Sequence, residues 1–277
     1  MSNKNAFNKI GFMQGRLVPS EKKNSIQYFP EKRWSEELKI ASNNKFKIME
    51  WTINSENLLL NPLFNGNMKK VKKILKLTKI KVPSITYDYF MEEPFFKKKN
   101  KRKKEIILLN LKKIIQNSKK INVKYHIFPL VDNSSLKSEI EEKNLIKEIK
   151  KILKYLNKDS KILFEIDYRP DLIINFLKKF KSKKIGINYD TGNSAGLNYD
   201  FKDEVKYLKY IYNIHIKDRI FNGGTVRLGK GNWKYKTFFK LIKNKYKGNF
   251  ILQTARNKNN DLKEILTNKK FFENAIK

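Results

Sequence analysis

Histidine is scarce in this chain, and both copies stand late in short apolar runs: His126 in VKYHIFP and His215 in IYNIHIK. Carboxylates keep the same company. Glu50 nearly ends FKIMEW, Glu165 lies at the end of KILFEI, and Asp190 ends IGINYD, while Gln253 takes the corresponding place in NFILQT. A carboxylate or imidazole in an apolar run costs free energy unless it is paired or bound to metal. Taken singly, each reads equally well as a satisfied polar group of the core. Taken jointly, Glu165, Asp190 and His215 suggest a site for one divalent ion, and oxygen and imidazole donors suit Mn, Mg, Co or Zn. The absence of Cys excludes disulfides, thiolate metal sites and a Cys nucleophile.

Arginine gives a second signal. The chain has 55 Lys but only seven Arg. Arg16, Arg169, Arg219, Arg227 and Arg256 each fall just after an apolar run, with Arg33 and Arg102 in or near such segments. Arg offers a rigid bidentate fork to carboxylate, phosphate or hydroxyl groups that Lys cannot replace. An anionic or polyhydroxylated ligand is one reading, and ion pairing between loops is the other. Lys217 shares strand parity with His215 and so points to the same side. Trp34, Trp51 and Trp233 have aromatic faces suited to a sugar ring, or equally to core packing.

These side chains need a scaffold. Eight apolar runs, Ile10–Met13, Phe46–Trp51, Val82–Tyr87, Val123–Pro129, Lys161–Ile166, Ile185–Asp190, Ile211–Lys217 and Asn249–Thr254, read as buried parallel strands. Stretches with helical spacing separate them, such as Leu145, Ile149, Ile152 and Leu156. Strand–helix alternation implies right-handed parallel units. Eight units in 277 residues match an α/β fold of the (β/α)8 TIM-barrel type, typically about 250 residues. A doubly wound sheet is the alternative, weakened because no GxGxxG follows the first strand. No linker divides the chain, so residues 1–277 are expected to form a single domain. In such a barrel the active site lies at the carboxyl ends of the strands. The segment FNGGTVRLGKGNW, Phe221 to Trp233, has four Gly and is expected to be a mobile lid or substrate loop after the seventh strand.

The net charge is +35, from 62 Lys and Arg against 27 Asp and Glu. With 32 Asn and 32 Ile beside the Lys, this is the residue set of AT-rich codons, and the Lys are spread over every helix. A drifted, solvated surface explains the charge better than a selected nucleic-acid surface, even at KKKNKRKK (97–104). No run approaches the ~18 apolar residues of a membrane helix, and the N-terminus lacks a signal peptide's apolar run. A cytoplasmic protein with no membrane partner is expected.

The motifs GFMQGRL, IQYFP with Trp34, IMEWT, FEID, NYDTGN, IHIKDR and LGKGNW, in this order, resemble the sugar phosphate isomerase/epimerase family of xylose-isomerase-like TIM barrels. The resemblance implies metal ligands on strands five to eight, here Glu165, Asp190, His215 and Gln253. It implies catalytic roles for Glu165, Gln253 and Lys217, and substrate contacts from Gln14, Arg16, Glu50, Trp51, His126, Asn193, Arg219 and Arg256. The implied activity is metal-dependent isomerisation or epimerisation of a sugar or sugar phosphate, by proton transfer α to a carbonyl. Alternatives are a keto-sugar or cyclitol dehydratase, and a degraded barrel binding a sugar-like or nucleic-acid ligand. Two departures stand out. Gln253 replaces an expected Glu and cannot take a proton, which tilts the expectation toward isomerisation, and Asn193 replaces a frequent His. The superfamily also contains an apurinic endonuclease with a His-rich three-zinc cluster, which two His cannot build.

Overall fold

The computed structural model describes residues 9–19, 27–257 and 261–276. Eight parallel strands close into a barrel: β1 (Ile10–Met13), β2 (Ile48–Ile53), β3 (Lys81–Tyr87), β4 (Tyr125–Leu130), β5 (Lys161–Ile166), β6 (Ile185–Asp190), β7 (Ile211–Ile216) and β10 (Asn249–Leu252). A two-stranded antiparallel ribbon, β8 (Asp218–Arg219) and β9 (Thr225–Val226), follows β7. Helices alternate with the strands, among them Trp34–Asn43, Met68–Thr78, Lys101–Ser118, Glu139–Ile152 and Asp261–Ala275. The expected TIM barrel is the fold found. Strand boundaries shift from the apolar runs by at most two residues, as at β2, which runs two residues later because Thr52 and Ile53 still pair with β3.

Two cores serve different purposes. The large one lies between strands and helices and is built from outward strand residues such as Trp51, Tyr87, Phe128, Phe164 and Ile214. The second, Met13, Ile48 and Ile251, is a small apolar plug inside the barrel. Gly11 belongs to the same layer, where a Cβ would come within 2.7 Å of Ile48 Cγ2. Toward the carboxyl ends the interior is polar. Register puts Glu50, Asn188, Asp190, Asn213 and His215 on inward positions, in matched pairs such as Asp190 with His215 and Asn188 with Asn213. Period-two alternation along each strand thus separates a dry outer face from a polar lumen.

Candidate metal and active site

Glu165, Asp190 and His215 end β5, β6 and β7 facing inward. They each present one ligand atom, all within 4.8 Å of one another, and all three are buried. His215 is fixed from both sides. Its Nε2 donates to Glu50 Oε1 at 2.7 Å, and its Nδ1 lies 3.0 Å from Glu165 Oε2. Beneath this layer Asn213 Nδ2 donates to Glu50 Oε2 (3.0 Å) and to Asn188 Oδ1 (2.8 Å), and Asn188 Nδ2 donates to Glu165 Oε2 at 2.9 Å. Asn193 Nδ2 holds the other Glu165 oxygen at 2.9 Å. Asp190 Oδ1 caps the helix Thr191–Leu197 by accepting from the backbone N–H of Asn193.

Asp190 Oδ2 and, at the end of the strand next to β7, Gln253 Oε1 are buried without a hydrogen bond, and the 3.0 Å contact of His215 Nδ1 with Glu165 Oε2 is off the ideal hydrogen-bond direction. Buried polar atoms are normally satisfied. A divalent ion held by Glu165, Asp190, His215 and the Gln253 carbonyl would satisfy them, and hard oxygen with imidazole is a sound donor set. The Glu50 carboxylate on the far nitrogen of His215 is the arrangement that orients metal-binding imidazoles. The residues present therefore fit the ion that the sequence implied.

The charges follow from this geometry. Burial alone would push His215 down, but the carboxylates of Glu50 and Glu165 lift it to about 10, so without an ion the ring keeps its second proton. Burial raises Glu165, yet the hydrogen bond and charge of His215, with Lys217 and Asn193, outweigh it and leave the carboxyl below its ordinary value. Asp190 stays above its ordinary value because burial outweighs Lys217, whose Nζ lies 3.8 Å from Asp190 Oδ2.

Over the strand β10 side, Gln253 Nε2 donates to Gln27 Oε1 at 2.8 Å, and Gln27 Nε2 reaches both oxygens of Asp88 at 2.9 and 2.7 Å. Arg16 is buried here, and its Nε donates to the Thr254 carbonyl. Gln14 Oε1 accepts from the backbone N–H of Thr52.

Other expected substrate contacts are placed differently. His126 faces the helix layer, not the lumen, because it has the parity of Ile85 and Ile162. It accepts a hydrogen bond from Tyr87 Oη at 2.8 Å, and burial lowers it to about 3, so it is a neutral core group. Trp51 also points outward. It packs on Phe29 and Trp34 and donates its indole N–H to Asn61. Glu50 is inside but fully covered, and it holds His215 instead of facing the mouth. Arg219 turns its guanidinium onto the Gly223 carbonyl. Arg256 staples the loop after β1 through the Gly15 and Val18 carbonyls and Asp261. Arg33, Arg169 and Arg227 pair with Glu36, Asp171 and Glu264, so for them the ion-pair reading holds.

The glycine-rich segment is a clamped loop. The Asp218 carboxylate accepts from the backbone N–H groups of Gly229, Gly231 and Trp233, which satisfies the amides a phosphate would otherwise use. Trp233 packs against Tyr189, Phe201 and Phe238 in the outer core. Sequence reasoning missed Asn188, Asn213, Gln27 and Asp88. The first two were within reach, since each lies two residues before a candidate ligand on its strand. Gln27 and Asp88 carry no such signal.

No curated protein shows significant sequence similarity to the chain. Solved structures share its fold at low identity. The IOLI protein with a binding zinc atom aligns with TM-score 0.74 and 14% identity over 97% of this chain and 98% of its own. A xylose isomerase domain protein from Planctomyces limnophilus gives 0.72 and 13% over 96% of each chain. D-allulose 3-epimerase from Methylomonas sp., in complex with D-allulose, gives 0.69 and 12% over 95% and 96%. The sequence profile of one family matches residues 38–274. With that match across most of the barrel, the chain belongs to the xylose isomerase-like TIM barrel family.

Proposed function

We propose that the protein is a metal-dependent isomerase or epimerase that moves a proton α to the carbonyl of a sugar or sugar phosphate. The observation that carries this reading is the convergence of buried ligand atoms of Glu165, Asp190 and His215 at the carboxyl ends of β5, β6 and β7. The fold neighbours include a zinc-bound protein and a ketose epimerase with its sugar, which supports the reading.

In this reading Glu165, Asp190, His215 and the Gln253 carbonyl hold the ion. When bound, it supplies Lewis-acid polarisation of the substrate carbonyl. Glu165 is the base that removes the α proton. In the metal-free protein His215, with Lys217 and Asn193, holds the pKa of Glu165 down; with the ion in place of the His215 proton, the carboxylate would stay ionised beside the bound cation. Asn188 and Asn193 fix its two oxygens, so the carboxylate is oriented before substrate arrives. Lys217, beside Asp190, is the cation that offsets developing negative charge on the substrate oxygen.

The test is elemental analysis of the purified protein together with incubation of the Mn-loaded protein with ketohexoses in D2O. Stoichiometric metal and deuterium at the α carbon, both lost in suitable variants (Asp190→Asn for metal, Glu165→Gln for deuterium), are the expected results. Metal-free protein that binds no Mn²⁺ would end this reading.

A further inference from the structure

Gln253 leaves the site one carboxyl short for proton transfer on both faces of a carbon. The fold supplies another carboxyl from a different strand. Asp88 directly follows β3, two residues beyond Thr86, which shares the inward parity of Thr52 and Ser84. It is 8% exposed. Both its oxygens are met by one amide nitrogen, Gln27 Nε2.

That contact fixes the orientation of two amides. A carboxylate only accepts, so Gln27 must turn its NH2 to Asp88 and its carbonyl to Gln253. Gln253 then turns its NH2 to Gln27, which leaves its Oε1 as a buried atom without a hydrogen bond. Asp88 is therefore tied across the mouth to the residue that replaced the strand-eight carboxylate.

The other buried carboxyls near the mouth are engaged elsewhere. Glu50 serves His215 and Asn213, and Glu37 accepts from the amides of Gly15 and Leu17. Asp190 caps a helix. Asp88 follows β3 at the same end of the barrel as Glu165, and the charges of Glu165 and Arg16 both act on it. Burial first, then Glu92, raises it to about 7, where a carboxyl exchanges protons readily near neutral pH.

We propose that Asp88 is the second acid–base group of this site, and that the chain is an epimerase with Glu165 on one face of the substrate carbon and Asp88 on the other. This rests on the function proposed above. Glu165 takes the α proton. The C–H electron pair forms a C=C bond and the carbonyl π pair moves to oxygen, giving an enediolate. The protonated Asp88 then donates to the opposite face, the C=C pair forms the new C–H bond, and the carbonyl returns. Glu165 ends protonated and Asp88 ionised, and exchange with solvent resets both.

The experiment uses Mn-loaded protein and two pairs of C3 epimers, D-allulose with D-fructose and D-tagatose with D-sorbose, in D2O. NMR reads deuterium at C3 and the appearance of the partner epimer. Wild type is expected to do both, and Glu165→Gln to stop epimerisation. Asp88→Asn keeps the size and an acceptor for Gln27. It should lower epimer formation at least about 100-fold, the usual worth of a general acid or base. Deuterium wash-in should persist from one member of a pair and vanish from the other, because each base serves one epimer. Mn²⁺ affinity by calorimetry should stay within about twofold, since Asp88 does not ligate the ion.

Epimerisation at the wild-type rate in Asp88→Asn, or loss of wash-in from both epimers, overturns the Asp88 assignment alone. No wash-in by wild type into any of the four ketoses removes the functional reading and this assignment with it. If Asp88→Asn does not fold, Asp88→Ala with added formate carries the test. Epimerisation restored by formate supports the assignment, and no restoration overturns it.

Discussion

Glu50→Gln isolates what the layer beneath the ligands does. The Glu50 oxygens accept separately from His215 Nε2 (2.7 Å) and Asn213 Nδ2 (3.0 Å) at a site with no solvent exposure. A Gln carbonyl can serve one of these donors, and its NH2 would face the other. One buried donor is then left unmatched, at about 1–3 kcal/mol. For a domain of this size that corresponds to a fall in Tm of several degrees, at about 2–4 °C per kcal/mol.

The substitution also removes a negative charge from behind His215. That weakens the ring's hold on a proton and on a divalent ion alike. The ion carries twice the charge, so its loss is the larger and net affinity falls. Losing such a supporting carboxylate costs roughly 10–100-fold in metal affinity, or about 1.4–2.8 kcal/mol.

Proton release gives a second readout. His215 is raised to about 10, so between its ordinary 6.5 and that value the metal-free protein holds a proton that the ion must displace. Mn²⁺ titration calorimetry at pH 7.5, in buffers of different ionisation enthalpy, should find close to one proton released by wild type. Glu50→Gln should release a smaller fraction and bind more weakly. Unchanged affinity and unchanged proton release together would refute the role assigned to Glu50.

Three further outcomes are expected. Asp190→Asn should cut Mn²⁺ affinity at least about 100-fold while Tm stays within a few degrees, because Asn caps a helix as well as Asp; a loss of fold without a loss of affinity would contradict this. Asp218→Ala should leave the amides of Gly229, Gly231 and Trp233 without their acceptor, so hydrogen exchange over residues 221–233 should accelerate by an order of magnitude or more; unchanged protection would show that the clamp is unimportant. Burial raises Glu204 from 4.5 to about 7 against the hydrogen bonds of Ser194, Tyr189 and Tyr207. A raised carboxyl contributes stability that is complete below about 4.5 and lost as pH rises through 7, on the order of 2–3 kcal/mol. Glu204→Gln should therefore flatten the decline in Tm between pH 5 and pH 8, and an identical slope would count against it.

Strand residues were legible because burial imposes a strict period. The runs FEI, NYD and IHI each place a polar residue at an inward, strand-end position, and register then brings the three together. The same period misled where parity was not applied. His126, which is the second residue of β4, and Trp51, the fourth of β2, lie on the outward side, where Tyr87 and Asn61 satisfy their polar atoms. The loop residues were not legible. Gln27 and Asp88 meet across 61 positions, and no local pattern around either residue announces the contact. Gly-rich composition suggested freedom at residues 221–233, and it does not report that one carboxylate from the start of β8 accepts from the amides of Gly229, Gly231 and Trp233. Composition reports what a backbone can do, and tertiary hydrogen bonds decide what it does.

The partition of charge explains how so basic a chain keeps an acidic interior. Among the described residues, Arg16 is the one Lys or Arg that is buried, although the sequence has 62. Among the described residues nine carboxyl side chains are buried: Glu37, Glu50, Asp88, Glu148, Glu165, Asp190, Glu204, Asp218 and Glu264. Exposed positions tolerate Lys at little cost, since its long stem packs while its ammonium stays in water. Buried carboxylates cannot drift in this way. Several accept two or more donors or hold a loop, and replacing any one leaves those donors unmatched at about 1–3 kcal/mol each. The excess positive charge therefore belongs to the surface, and the chemistry to a lumen whose composition the surface does not report. Gln253 fits this account, because it is uncharged and its amide reaches Asp88 through Gln27. The buried Gln253–Gln27–Asp88 chain thus links the end of β10 to the end of β3, where the proposed acid–base function lies.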